Sequence, residues 1–389
     1  MAKIRVLVVD DSVVVRRLVT DALSRDPMIE IAGVAANGRI ALAKIAEVSP
    51  DIVTLDVEMP EMDGLATLVE IRKTRPKLPV IMFSTLTERG GVTTLEALAR
   101  GASDYVTKPS NVGSVNEALE RLRAEMLPKI KALCGRSADA PPGMARPALG
   151  RAAAPGAPPA APGAAPSRIA PRPSAAPPPP RTRSGPPARV EVVAIGVSTG
   201  GPNALAVVIS RLPGDLPVPI LIVQHMPPLF TKLLAERLDS GSRLTVREAF
   251  DGARPTPGSV WVAPGDHHML VAREGGAVAL RLNQAPAENS CRPAVDPLFR
   301  SVVEVYGAHA LGVVLTGMGR DGLLGARALV AAGSRIIAQD EASSVVWGMP
   351  GYVASEGLAE RVLPIGDVPG EIERRVTESR GLRPARAIA

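Results

Sequence analysis

Two α/β units are predicted for this 389-residue chain: an N-terminal five-stranded, doubly wound parallel sheet and a C-terminal doubly wound domain with a mostly parallel sheet. Three observations predict them. Short runs of β-branched and aliphatic residues alternate with helix-like stretches through the first part of the chain, the same alternation resumes after Val190, and the segment between has a composition that cannot build a core. The expected boundaries are 1–134 for the first domain, 135–188 for a linker, 189–370 for the second domain and 371–389 for a tail.

The elements follow in order. Ile4 to Val9 reads as a buried strand ending at Asp10 and Asp11, and Ser12 opens a helix through about Leu23. Ile29 to Ala35 is a second strand, Asn37 caps a helix to Val48, and Asp51 to Leu55 is a third strand ending at Asp56. A helix over Gly64 to Thr74, a strand ending at Ser84, a helix ending near Arg100, a strand from Ser103 to Thr107 and a helix over 113–133 complete the first sheet. Residues 141–187 then hold 16 of the 39 prolines, 13 alanines, six arginines and no acid. Too little apolar surface is available there to offset chain entropy, so the segment reads as a disordered tether, with a spacing role favoured over contact by its arginines. Beyond it, VEVVAI, PILIVQ, VWVAP, AVALRL, ALGVVL and RIIAQ are strands. Helices are expected at 202–212, 228–238, 295–306, 321–332 and 343–355, with hairpin character near 257–283 and a last helix after about 370.

Charge narrows the function. The formal charge is +6, but the first 134 residues carry 18 basic and 18 acidic side chains and residues 189–389 carry 20 of each. The excess sits in the linker, so neither folded part offers a basic face for nucleic acid. Two cysteines, Cys134 and Cys291, indicate neither a disulfide framework nor a cysteine metal site. With no signal peptide and no apolar run of membrane-spanning length, the expected setting is cytoplasmic, without membrane insertion.

Two constellations carry chemistry. Strands of a parallel sheet share one carboxyl edge, so Asp10, Asp11, Asp56, Ser84 and Lys108 converge. Crowded carboxylates need a cation, and oxygen-only ligands with open positions suit Mg²⁺. Asp56 then serves as nucleophile toward a phosphoryl donor, Lys108 as the charge on the acyl phosphate and Ser84 as the hydroxyl that senses it. Asp10-Asp11, DVEMP from Asp56 with Gly64 after it, Ser84-Thr85 and Lys108-Pro109 resemble the response-regulator receiver domain over residues 3–125. That resemblance implies phosphorylation at Asp56, direct Mg²⁺ ligation by Asp11 and Asp56, a ligand from the Glu58 carbonyl, and Asp10 acting through water. Tyr105 is either that family's switch aromatic or a core tyrosine with a wet hydroxyl.

In the second domain VEVVAI ends in Gly196-Val197-Ser198-Thr199-Gly200, a G-x-S-x-G turn opening a helix, where free N–H groups can stabilise an oxyanion. A nucleophilic serine needs a base, and of the four histidines only His225 ends a strand in the same edge position. His267 and His268 sit on a turn, at least one of them on the substrate side or structural, and His309 at a strand boundary. Asp321, in the loop after ALGVVLT, is the favoured orienting acid. Asp296, the rival, is explained by helix capping. The glycines flanking Met318 leave its N–H free as an oxyanion donor. A competing reading is a dinucleotide site, since Gly317-x-Gly319-x-x-Gly322 with Asp340 beyond forms a G-x-G-x-x-G pattern; Asp321 beside a pyrophosphate counts against it. A strict α/β-hydrolase is excluded, because every histidine precedes Asp321.

IGVSTGG from Ile195, QHMP from Gln224, VAPGDHHM from Val262, RPAVD from Arg292, LTGMGRDG from Leu315 and QDEASSVVWGMP from Gln339, behind a receiver and a linker, resemble the chemotaxis response-regulator protein-glutamate methylesterase family. The resemblance implies Ser198 as nucleophile, His225 as base, Asp321 as its orienter and Met318 at the oxyanion hole. It further implies methyl-accepting chemoreceptors as substrates, a chemotaxis histidine kinase as phosphodonor, control by phosphorylation, glutamine deamidation as a second activity and no cofactor for the ester chemistry. Ala294, where serine is expected, and the long tether depart from the pattern.

Overall fold

The computed structural model describes residues 3–109, 114–135 and 188–381, so the tether lies almost wholly outside the described residues. The first unit contains β1 (Ile4–Val9), α1 (Val13–Ser24), β2 (Ile29–Ala35), α2 (Gly38–Val48), β3 (Ile52–Asp56), α3 (Gly64–Thr74), β4 (Val80–Ser84), α4 (Glu88–Ala99), β5 (Asp104–Thr107) and α5 (Val115–Leu133). Its sheet runs β2-β1-β3-β4-β5 with every pair parallel. Every residue of β3 and β4 is buried, which is why these strands read as unbroken apolar runs. Helix starts are fixed locally: Ser12, Asn37, Asp63, Thr87 and Ser114 each accept a first-turn N–H through a side-chain oxygen.

The second unit contains β6 (Val192–Val197), α6 (Gly201–Arg211), β7 (Ile220–Gln224), α7 (Phe230–Ser240), β8 (Thr245–Glu248), β9 (Ser259–Val262), β10 (His268–Glu274), β11 (Ala277–Asn283), α8 (Val295–Tyr306), β12 (Ala310–Val314), α9 (Leu323–Ala332), β13 (Arg335–Gln339), α10 (Met349–Ser355), β14 (Arg361–Leu363) and α11 (Val368–Glu378). The order is β14-β13-β12-β6-β7-β9-β8, all parallel, with β10 and β11 as a separate antiparallel hairpin. From β6 the chain winds first toward β7 and later returns to β12 on the other side. The crevice for a ligand in such a sheet opens at that reversal, beyond the carboxyl ends of β6, β7 and β12.

Several expectations move. The short edge strands β8 and β14 escaped the sequence, because half-exposed runs of four and three residues carry no hydrophobic period. His268 opens β10 and lies inside the fold, not on a turn. Helix α10 begins at Met349 and not at 343, because 340–348 form a loop: Asp340 Oδ1 accepts from the Ser343 N–H, and Trp347 Nε1 donates to the Gln339 carbonyl. A domain end at 370 would cut α11, whose Val368, Ile372 and Val376 are fully buried in the same core as β6 and β7.

The two units are packed together. Helix α4 lies against α6 and α7, and one apolar cluster runs from the first sheet through Tyr105 and Leu95 to Phe230 and Leu233. Among the described residues no helix is long and apolar enough to cross a membrane.

Candidate active site and phosphoryl-accepting pocket

Strand β6 ends in a turn that only a glycine-rich sequence can make. Gly200 adopts φ +79°, and a Cβ on Gly201 would strike Gln224 Oε1. Ser198 donates its N–H to the Thr316 carbonyl beyond β12, and Gln224 Nε2 donates to the Ser198 carbonyl. The serine, half-buried, is thereby pinned between the two neighbouring strands.

His225 follows β7 and Asp321 follows β12. Their side chains meet at 2.7 Å, His225 Nε2 to Asp321 Oδ2. With Nε2 taken by Asp321, the other side-chain hydrogen-bond partner of the ring is Cys291, and no hydrogen bond joins Ser198 Oγ to His225 in this state. Asp321 also accepts backbone N–H groups from Val295 (2.6 Å), Asp296 (3.1 Å) and Gly322 (2.9 Å). Burial works to raise its carboxyl pKa, but the His225 hydrogen bond and these donors hold it below the usual value. For His225, burial works against the imidazolium, yet the Cys291 thiol and the Asp321 carboxylate prevail and push it up to about 10.

The remaining assignments sort as follows. Asp296 does not cap its own helix. Its Oδ1 accepts from the Gly325 N–H in the first turn of α9, while Asp321, just before α9, accepts from the first turn of α8. The two carboxylates thus cap each other's helices, which also explains how α8 manages with Ala294 and no side-chain cap. His268 is buried, Nε2 toward the Pro286 carbonyl and Nδ1 accepting from Ala294 N–H, so its role is structural. His309 is an exposed boundary residue. Met318 lies half-buried between Gly317 and Gly319. The glycine run serves close approach: a Cβ on Gly317 would meet Met349 Sδ at 2.4 Å and Ser198 Cβ at 2.9 Å. With Asp321 turned to the N-terminus of α8, the dinucleotide reading fails. Sequence reasoning missed Cys291, whose thiol sits beside His225.

At the edge of the first sheet, Lys108 Nζ bridges Asp10 Oδ2 (3.0 Å) and Asp56 Oδ1 (2.8 Å). Ligand oxygens of Asp10, Asp11 and Asp56 lie within 4.8 Å of one another, and the buried Asp56 Oδ2 has no hydrogen-bond partner, so this oxygen-only set fits a hard divalent cation. Burial, opposed by Lys108 and aided by the Asp10 charge, pushes the Asp56 carboxyl up to about 6. Glu58 is exposed and donates its N–H to Asp56 Oδ1. Ser84 is fully buried, and its hydroxyl donates to the Gly90 and Thr85 carbonyls instead of facing Asp56. Tyr105 is buried too, its ring stacked at 4.8 Å on Phe230 of the second unit, so it is neither a wet nor a purely internal tyrosine.

The junction touches the serine turn directly. Thr199 Oγ1, next to Ser198, donates to Asp104 Oδ2 of β5 at 2.9 Å. Asn203 and Arg237 donate to the Leu98 and Leu95 carbonyls of α4.

Comparison with known proteins adds to this geometry. The family model described as CheB methylesterase matches residues 193–372, and that of the response regulator receiver domain matches residues 6–120. A protein-glutamate methylesterase/protein-glutamine glutaminase of Trichodesmium erythraeum is 47% identical over 376 residues, spanning 97% of this chain and all of the relative. One of Nocardioides sp. is 50% identical over 394 residues, spanning the whole of both chains. A third, of Maricaulis maris, is 49% identical over 383 residues, 95% of each.

Proposed function

The chain belongs to the protein-glutamate methylesterase/protein-glutamine glutaminase family with an N-terminal receiver, and from that premise we propose how its residues divide the work. It is a carboxyl-ester hydrolase of chemotaxis that removes methyl groups from glutamate esters and deamidates glutamine. The observation that carries the residue assignment is the 2.7 Å His225–Asp321 contact at the switch-point crevice, beside Ser198.

Ser198 Oγ attacks the γ-carbonyl carbon of the methylated glutamate on a chemoreceptor, and its proton passes to the His225 imidazole. The carbonyl oxygen turns into an oxyanion beside the Met318 N–H. As the intermediate collapses, the C–O bond to the methoxy group breaks, and His225 returns the proton so that methanol departs. Water then attacks the acyl-enzyme, again losing its proton to His225, and the glutamate carboxylate and free Ser198 result. With a glutamine substrate, ammonia leaves in place of methanol. Asp321 holds the imidazole in place and stabilises its charged form.

In the receiver, Asp56 accepts a phosphoryl group from a histidine kinase, with Lys108 receiving it and the Ser84 hydroxyl turning from the Gly90 and Thr85 carbonyls to join it. Asp10, Asp11, Asp56 and the Glu58 carbonyl would hold Mg²⁺, which when bound would supply positive charge at the phosphoryl-accepting carboxylate. The reaction belongs in the cytoplasm, where kinase and receptor tails meet the enzyme. Unphosphorylated, the receiver lies on α6 and α7 and obstructs the approach to Ser198; phosphorylation loosens that contact.

The test is methanol release from methylated receptor membranes. Ser198→Ala and His225→Ala should each lower it by several orders of magnitude, on the order of 10⁴-fold or more, and the double variant should be little worse because the two act as a unit. Losses that multiply in the double variant would dismiss the triad.

A further inference from the structure

Between β11 and α8 lies a strained turn that the mechanism above leaves unused. Glu288 and Cys291 close it by exchanging backbone hydrogen bonds, and its central residues Asn289 and Ser290 have φ of +52° and +62°. Asparagine tolerates the left-handed region better than most side chains. The turn is anchored at its base, where Arg300 holds Glu288 through contacts of 3.0 and 2.6 Å.

What this anchored turn delivers is one amide. Asn289 Nδ2 donates to Asp321 Oδ1 at 3.0 Å and to Asp296 Oδ2 at 3.1 Å. The other groups on Asp321, His225 apart, are backbone N–H groups at helix starts. Two buried carboxylates side by side repel, and burial together with the Asp321 charge raises the Asp296 carboxyl. A donor shared by both keeps them in one arrangement.

We propose that Asn289 is a positioning residue for ester hydrolysis, acting through Asp321: its amide fixes the carboxylate that in turn orients His225. This rests on the triad reading above. A residue kept only to form the turn would affect stability and leave the turnover of folded enzyme alone, whereas a positioning residue changes kcat without changing KM, since it does not reach the substrate.

The experiment uses the full chain and counts active sites by titrating Ser198 with a phosphonofluoridate. Asn289→Gly keeps the left-handed backbone and removes only the donor, so the melting midpoint should hold. Its kcat for methanol release should fall about tenfold, the scale of one hydrogen bond to a charged group, with KM unchanged. Asn289→Asp, which brings a third carboxylate, should be slower still. In an Asp321→Asn background, Asn289→Gly should cost less than about twofold, because the group it acts through has lost its charge. A wild-type kcat per active site in Asn289→Gly, whatever its melting midpoint, overturns the proposal, as does a full tenfold loss added to that of Asp321→Asn. Failure of the triad itself would show separately, as methanol release surviving in Ser198→Ala.

Discussion

The imidazole of His225 sits between the Asp321 carboxylate and the Cys291 thiol, and both favour its charged form strongly enough to outweigh burial. A general base works only when deprotonated. With the His225 pKa pushed up to about 10, the base form is scarce at neutral pH and grows as pH rises through that value. Methanol release by the docked enzyme should therefore climb with pH across the alkaline range. Cys291 is one of the groups that raise the value, so Cys291→Ala should move the acid limb of the kcat/KM profile to lower pH. At a fixed pH below both midpoints, each unit of that shift is about tenfold more base and so a faster reaction. A profile identical in the variant would exclude Cys291 from the base's environment. The sequence points to Ser198, His225 and Asp321 as the proposed set because Ser198 and His225 directly follow buried strands, Asp321 lies in the loop after a third, and parallel strands share an edge. Cys291 and Asn289 are not legible, since they sit in a turn without periodicity and gain their meaning only from the anchoring of that turn by Arg300 and Glu288.

Elements show the same division between what a local pattern specifies and what packing adds. Helix α4 contains a Gly90-Gly91 pair, and an interior helical glycine costs about 1 kcal/mol relative to alanine. The structure supplies the reason for tolerating it at Gly91: a Cβ there would lie 2.6 Å from Leu233 Cδ1 of α7. Gly91 thus lets the two helices approach while Asn203 and Arg237 reach the α4 carbonyls. Replacing Gly91 with leucine should strengthen α4 by propensity and wedge α7 away. The expected result is methanol release raised several-fold without a phosphodonor, a smaller further increase on adding one, and no loss of receiver stability. An unchanged basal rate would mean that the α4 contact does not restrain catalysis. No sequence pattern foretells this use of Gly91, just as none foretells that Asp296 and Asp321 cap each other's helices across α8 and α9. The strands and helices themselves were legible wherever a buried run met a capping residue, and were lost at the half-exposed edges β8 and β14.

For the whole molecule the question is how firmly the receiver stays down. Thr199 to Asp104, Tyr105 on Phe230 and the α4 contacts make a docking surface, and the chain between Gly135 and Ala188 sets how often a released receiver finds it again. Residues 136–187 lie outside the described residues, and their composition alone proposes a tether. A flexible chain of that length would have a typical end-to-end reach of about 40 Å and would keep the receiver at an effective concentration on the order of millimolar. Release on phosphorylation must then come from weakened docking and not from distance. Doubling the tether should lower the effective concentration by about threefold, following the −3/2 power of length. The basal rate of the unphosphorylated enzyme should therefore rise by no more than about threefold, and the rate with saturating phosphodonor should stay the same, because an undocked receiver contributes no atom to the site. Asp56→Ala should abolish the stimulation in both the normal and the lengthened chain while leaving the basal rate of each unchanged. Methanol release from methylated receptor membranes measures all of these. If the longer tether lowers the phosphorylated rate, the receiver assists turnover after it leaves the α6–α7 surface, and inhibition by cover is not the whole of its control.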